Sequence, residues 1–403
     1  MRVAQFFIIL GSLFLLGACQ SDDNNPLNDL DITDINTVDN PTAGTPARLE
    51  DLGRFLFWDP ILSGEQDIAC ASCHHPDFGY ADGRALSIGV GGEGLGPNRG
   101  NLTNENLVGR NSPTIINTAF NGMDENGDFD PSEAPMFWDN RMFSLENQAL
   151  GPIVNFEEMR GHAFDEDVAL DSIVQRLQNN ASYRQLFADA FGENNPITSE
   201  NIGAAIAAFE RTITATDSPF DRFQAGNQNA MTQQQIRGME EFRRIGCNDC
   251  HSGPMFSDFE LHVLGVPDNN QRTTSDTGAN GTYAFRTPTL RNLDVTGPYF
   301  HSGVGGNLQQ TIQFYLTARN FARNNGNGGG PGGGGNGGPN GGLAINPNVT
   351  PNQIDDDVRG LNNFNNADIQ DIVAFIGALN DPDFDKTIPA SVPSGLHPGG
   401  NIE

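Results

Sequence analysis

The chain is predicted to be mainly α-helical, with two similar halves and long irregular loops between its helices. Three observations carry this. The pentapeptide C-x-x-C-H occurs twice, at Cys70-Ala71-Ser72-Cys73-His74 and at Cys247-Asn248-Asp249-Cys250-His251. A short helical segment precedes each copy, Arg48 to Trp58 and Thr232 to Ile245. A strongly amphipathic helix follows each one, with Ile202, Ala205, Ile206, Phe209 and Ile213 on one face of the first and Ile369, Ile372, Val373 and Ile376 on one face of the second. The pentapeptide fastens a c-type haem through two thioethers and offers its His to the iron. The chain has only 5 Cys and 7 His, so two complete copies are not accidental. Two covalent haem c groups are expected, held by Cys70, Cys73, Cys247 and Cys250, with His74 and His251 as axial ligands. Zinc ribbons place their cysteine pairs about 15 to 20 residues apart, and Cys73 and Cys247 are separated by far more.

Taken in order, residues 1–19 form a signal peptide. Arg2 is its positive end, Phe6 to Ala18 its short apolar run, and Leu16-Gly17-Ala18-Cys19 resembles the lipobox of bacterial lipoproteins. The run is shorter than the roughly 20 residues that span a bilayer. Cys19 is the expected lipidation site, anchoring the chain to a bacterial membrane on its periplasmic side, where haem c is also attached. Residues 20–46, rich in Asp and Asn, form a polar tether. The first haem domain is placed at 47–220. The polar crossover Thr216 to Ala230, with Pro219 and Gly226, leads into a second at 221–386. Thr232 and Gln235 form a capping box for the helix ahead of Cys247. Residues 324–342 are a Gly and Asn tract read as an inserted loop, and 387–403 are a C-terminal tail.

The 51 acidic residues outnumber 22 basic ones, giving a net charge of −29 and excluding nucleic acid as a partner on electrostatic grounds. The same charge would steer a basic electron-donor protein.

Gly238 and Phe242 ahead of Cys247, with the late helix behind it, resemble the helix pair that clasps haem in small cytochromes c, so both halves are read as cytochrome c-like. A longer series is more specific. Leu52-Gly53-Arg54-Phe55-Leu56-Phe57, Arg110-Asn111-Ser112-Pro113-Thr114, Phe137-Trp138-Asp139, Leu145-Glu146, Pro152-Ile153, Phe285-Arg286-Thr287-Pro288-Thr289-Leu290-Arg291-Asn292 and Pro298-Tyr299-Phe300-His301 follow one another along the chain. With the two haem motifs in their places, this series resembles the bacterial dihaem cytochrome c peroxidases and their MauG-type relatives over Arg48 to Leu379.

That resemblance implies a peroxidatic N-terminal haem, an electron-transfer C-terminal haem, and often a calcium ion between them. It assigns the proton-moving carboxylate to Glu146 and calcium to the Asn111 side chain with carbonyls around Gly281 to Tyr283. Several features depart from the family pattern. A Gln expected ten residues before the catalytic Glu is Met136, and a blocking His expected 16 residues beyond His74 is Val90. The family's distal ligand of the second haem, Met in the peroxidases and Tyr in MauG, falls on Phe300; either Tyr299 or His301 takes that role after a small shift in register, or both are structural and the sixth site is empty or water-filled. Electron transfer in several members uses a Trp between the Arg-Asn-Ser-Pro and Phe-Trp-Asp motifs, and Asn111 to Phe137 contains none. His262 is read as a hydrogen-bonding support. Asp124 to Asp130 resembles part of a calcium loop but lacks its closing Glu and is read as an acidic surface turn.

The expected function is reduction of hydrogen peroxide to water with electrons from a small cytochrome c or a cupredoxin, in a form that leaves a homodimer open. A MauG-type oxidase of a protein or organic substrate is the alternative, and an electron-transfer cytochrome without catalysis is the reading from another class.

Overall fold

The structure, a computed structural model, describes residues 48–103, 105–192, 196–324, 326 and 342–403. Cys19, the tether and most of the Gly-rich tract lie outside the described residues. The protein is mainly helical with little sheet. Among the described residues its sheet consists of two antiparallel pairs, β1 (Pro135–Met136) with β2 (Met142–Phe143) and β3 (Leu261–His262) with β4 (Phe285–Arg286). No helix among the described residues is long and apolar enough to cross a membrane.

One helix pair organises the first half. α1 (Leu49–Trp58) carries Glu50 and Asp51 in its first turn, where acids suit the helix dipole, and buries Leu52, Leu56 and Phe57. It crosses α6 (Ser199–Glu210), which is capped by the Thr198 side chain accepting from Asn201 N and buries Ile202, Ala205, Ile206 and Phe209. Gly53 allows the close crossing: a Cβ there would lie 1.8 Å from Ala205 O. Phe57 and Phe209 then meet edge to face at 5.1 Å. Between these helices in sequence come α2 (Leu145–Gln148), α3 (Gly151–Val154), α4 (Ala169–Asn179) and α5 (Ala181–Phe191).

The second half repeats the plan. After α7 (Pro219–Gln224), α8 (Gln233–Ile245) begins at the expected capping box, with Thr232 Oγ1 accepting from Gln235 N and Gln235 Oε1 accepting from Thr232 N. It crosses α11 (Asn366–Gly377) at Gly238, where a Cβ would lie 1.9 Å from Asp371 O, and Phe242 meets Phe375 edge to face at 5.4 Å. Glycine inside a helix is otherwise unfavourable, so its presence at both crossings reflects this backbone contact. Gly238→Ala is expected to lower stability by about 1–3 kcal/mol, read as an earlier unfolding midpoint of the holoprotein. α9 (Leu308–Arg323) and α10 (Asp356–Gly360) complete this half.

Each half has its own apolar core, and the chain end crosses between them. The residues after Leu379 return to the first half: Phe384 and Val392 enter its core, and Arg54 pairs with Asp385 at 2.5 Å. Ser72 Oγ donates to Gly399 O at 2.8 Å beside the first haem motif. The segment read as a separate tail is thus a buttress of the first haem site.

Candidate haem sites and the cavities beside them

Both C-x-x-C-H motifs open with a single 3-10 turn, Cys70–Ser72 and Cys247–Asp249, that turns both sulfurs and the following His toward one cavity. His74 Nδ1 lies 3.0 Å from Tyr80 O, and His251 Nδ1 lies 3.0 Å from Phe256 O. A carbonyl only accepts, so each Nδ1 carries the proton and each Nε2 keeps its lone pair for a metal. Burial lowers the pKa of both rings, which favours the neutral, ligating form. Burial also pushes the Cys73 and Cys247 thiols up to about 12, far from the reactive thiolate of a redox dithiol. Two sulfurs and an imidazole on the wall of a large, mostly apolar cavity suit a covalently held porphyrin at each motif.

The first cavity holds the acids. Glu146 is not among the residues that line it: its side chain is 39% exposed and accepts two hydrogen bonds from Arg211, at 2.6 and 3.0 Å. Partial burial raises its pKa, but the Arg211 bonds outweigh that and hold the carboxyl below the usual range. The cause is helix phase. Leu145, Gln148, Ala149 and Pro152 follow the i, i+3, i+4, i+7 pattern toward the cavity, and Glu146 falls off that face.

Glu158, unlike Glu146, lines this cavity. It sits on a π-helical turn, Phe156–Arg160, whose first amides are capped by Asn155 Oδ1 accepting from Glu157 N and Glu158 N at 2.9 and 3.1 Å. Burial pushes its carboxyl up to about 7, against the pull of Arg141 and with a small push from Glu157. Gln148 lines the same wall ten residues earlier. The Gln-to-Glu spacing that pointed to Met136 and Glu146 is therefore met by Gln148 and Glu158, and this spacing was the signal in the sequence that could have found them. Glu210, at the end of α6, also lines this wall, as do Asp139, Glu157 and Asp276.

Val90 does not line the cavity. Its N–H donates to Glu157 O at 3.3 Å and its carbonyl accepts from Asn106 Nδ2 at 2.8 Å. His74 is the only imidazole among the described residues that line the cavity.

Tyr299 and His301 both line the second cavity. Tyr299 Oη donates to Leu293 O at 2.8 Å, and His301 stacks on Phe285 with ring centres 3.5 Å apart. Among the described residues, His301 keeps a buried Nε2 without a hydrogen-bond partner in the wall of this cavity, which Tyr299 also lines. Tyr315 lines the same cavity from α9, on one face with Leu308, Thr311 and Ile312, and burial pushes its hydroxyl pKa well up. No motif in the sequence marks this oxygen donor, which lies on a later helix than the Pro-Tyr-Phe-His segment that drew the expectation.

His262, by contrast, acts as a support. Its Nε2 meets Asp258 Oδ2 at 3.0 Å and its Nδ1 meets Asp355 Oδ2 at 2.9 Å. Asp258 leads the causes that raise its pKa to about 11, so the ring is a cation at neutral pH. The part of that rise due to a Cys250 thiolate disappears once the sulfur is a thioether. Thioether formation would likewise take the Cys250 thiolate out of the group Cys250, His262 and Asp357, which is spaced to hold a metal ion.

Trp138 borders both cavities, and its Nε1 donates to Asn111 O at 2.9 Å. An aromatic group therefore stands between the two sites after all, inside the Phe-Trp-Asp motif and not before it. Asn111 lies at the same partition, with its side-chain nitrogen donating to Arg84 O and its backbone N–H to His301 O. Gly281 to Tyr283 belong to a turn in which Thr282 N donates to Ala279 O, and Tyr283 lines the second cavity. Asp124 accepts from Asn126 N and Asp128 N as an exposed turn.

The chain is similar to known proteins in sequence and in fold. Residues 47–229 match the family described as di-haem cytochrome c peroxidase. The chain is 32% identical over 287 residues to the methylamine utilization protein MauG of Methylorubrum extorquens, covering 70% of this chain and 72% of that protein. It is 33% identical over 280 residues to the cytochrome c551 peroxidase of Nitrosomonas europaea, covering 67% and 74%. In fold it resembles a MauG-like protein associated with microbial copper homeostasis, with a TM-score of 0.61, 24% identity and coverage of 86% and 95%. The diheme peroxidase BthA of Burkholderia thailandensis gives a TM-score of 0.62 at 20% identity, covering 87% and 89%.

Proposed function

Because the chain belongs to the di-haem cytochrome c peroxidase and MauG family and is an oxidoreductase, we propose that it reduces hydrogen peroxide to water with electrons from a small periplasmic redox protein. The observation that carries this reading is the pairing of Gln148 and Glu158 on the wall of the His74 cavity, where no second imidazole is present among the described residues.

Each half is read as a cytochrome c-like haem domain. Cys70, Cys73 and His74 would hold one haem, and Cys247, Cys250 and His251 the other, with Tyr315 offering a further donor in the second cavity beside Tyr299 and His301. The haems supply the redox equivalents when bound. The chain's own residues do the rest. Glu158, with a carboxyl near 7, is balanced to take a proton from an entering peroxide and return it to the leaving oxygen. Gln148 offers an amide to orient the substrate, and Trp138 offers a route for electrons between the cavities. Turnover consumes two electrons and two protons for each peroxide, giving two waters.

Asn111 at the partition offers a hard oxygen for calcium. Cys19 would anchor the protein by lipid to a membrane facing the periplasm. An acidic surface favours a basic donor, a cytochrome c or a cupredoxin.

Tyr315 supports the second reading, a MauG-type oxidase, since a Tyr ligand in the second half is that branch's feature. Assay of the haem-loaded protein separates them. Two equivalents of reduced cytochrome oxidised per peroxide are expected. Peroxide consumption that proceeds only with an organic or protein reductant would replace the peroxidase reading with the oxidase.

A further inference from the structure

Glu210 is 5% exposed, lines the first cavity, and its Oε2 has no hydrogen-bond partner. Its α6 neighbours on the buried face are Ile202, Ala205, Ile206 and Phe209, so an apolar residue would satisfy the packing at lower cost. The next residue is Arg211, whose guanidinium leaves the helix end to bind Glu146. That pair is 32% and 39% exposed. One step along the backbone thus separates a carboxyl inside the cavity from a charged pair in contact with solvent.

The chemistry needs such a step. Glu158 takes and returns the proton of the peroxide itself, but the two protons consumed per turnover must enter from solvent. We propose that Glu210 is the relay that carries them, passing protons from the exposed Glu146–Arg211 pair into the cavity that Glu158 serves. The proposal rests on the peroxide-reducing reading above. In each transfer the Glu210 O–H bond breaks toward water in the cavity, and the carboxylate left behind regains a proton from water at the Arg211 end. Proton and charge are conserved, and the electrons come from the external donor.

The charged surroundings fit this role. Burial is the main influence on Glu210 and pushes its carboxyl up to about 8; Arg211 opposes the rise and Glu146 adds to it. Asp139, Glu157, Glu158 and Asp276 line the same cavity together with Arg110, Arg141, Arg272 and Arg286, and the nearby Cys70 sulfur would carry no charge as a thioether. Arg54, from the packed helix α1, lies over the Phe209 ring and pairs with Asp385. Glu210 therefore holds a proton at neutral pH and loses it as the pH rises through about 8.

The test uses the haem-loaded protein and Glu210→Gln. Expected are peroxide turnover lower by about tenfold or more, a larger solvent isotope effect, and loss of the alkaline limb near pH 8. Infrared spectra of the wild type should show a protonated-carboxyl band that titrates near pH 8 and is absent from Glu210→Gln. A variant with wild-type rate, pH profile and isotope effect would overturn the relay. Should Glu210→Gln fail to load haem, Glu146→Ala serves: it should raise the isotope effect and leave the infrared band in place, and an unchanged isotope effect would refute the path. A wild type that titrates as described but does not reduce peroxide would sink the functional reading and not the assignment of the buried acid.

Discussion

Glu158→Gln is expected to leave both haems attached and to slow peroxide turnover about a hundredfold or more, the scale of losing a general acid–base group. Gln keeps the shape and the cavity contacts but cannot accept a proton. The pH dependence has a definite sign. The wild-type carboxyl is held up at about 7 by burial, so the carboxylate that accepts the peroxide proton is depleted as pH falls below about 7. The rate constant for peroxide attack should fall with it, and in Glu158→Gln that acidic limb should vanish. Glu146→Gln, outside the cavity and already paired with Arg211, should have a much smaller effect. Steady-state kinetics on variants with matched haem content compare the two acids directly, and full activity in Glu158→Gln would remove that residue from the mechanism.

The fully oxidised protein is expected to react with peroxide at once, without prior reduction, and to show a high-spin signal. A closed resting state requires a second set of ligand contacts that reduction can release. Here the segment that would supply them is held elsewhere. Gly89 lies so close to Glu157 O that a Cβ would approach it to 1.8 Å. Arg99 donates to Ile88 O and Gly89 O at 2.7 and 3.1 Å, and Gly91 N donates to Asp67 Oδ2 at 2.7 Å. Val90 itself has no donor atom. Rapid mixing of the untreated oxidised protein with peroxide, followed optically, is the measurement. An entirely low-spin spectrum with no reaction would mean that another residue caps the iron.

The convergence of each C-x-x-C-H motif on one cavity was legible in the sequence because it depends on chain-local spacing: two sulfurs and an imidazole within five residues face one way however the rest of the chain folds. The helix pairs were legible for the same reason, since a 3.6-residue period and the Thr232–Gln235 cap are local properties. Which acid enters the cavity was not local. Glu146 and Glu158 are both near a buried segment, and only the phase of α2 and the π-helical turn after it decide that one pairs with Arg211 at the surface and the other lines the wall.

The presence of Tyr315 on the second cavity wall beside Tyr299 and His301 has the same origin, because α9 reaches that wall through contacts between distant segments. Trp138 was visible as a residue, but its place on both cavity walls comes from the docking of the two halves. The return of the chain end to the first core and the burial of Glu210 beside a solvent-exposed ion pair likewise arise from long-range packing. Sequence by itself determined what chemistry the chain could attach and where its helices run. The tertiary structure decided which side chains meet that chemistry, because the direction of a side chain is set by helix phase and by neighbours far away in the chain.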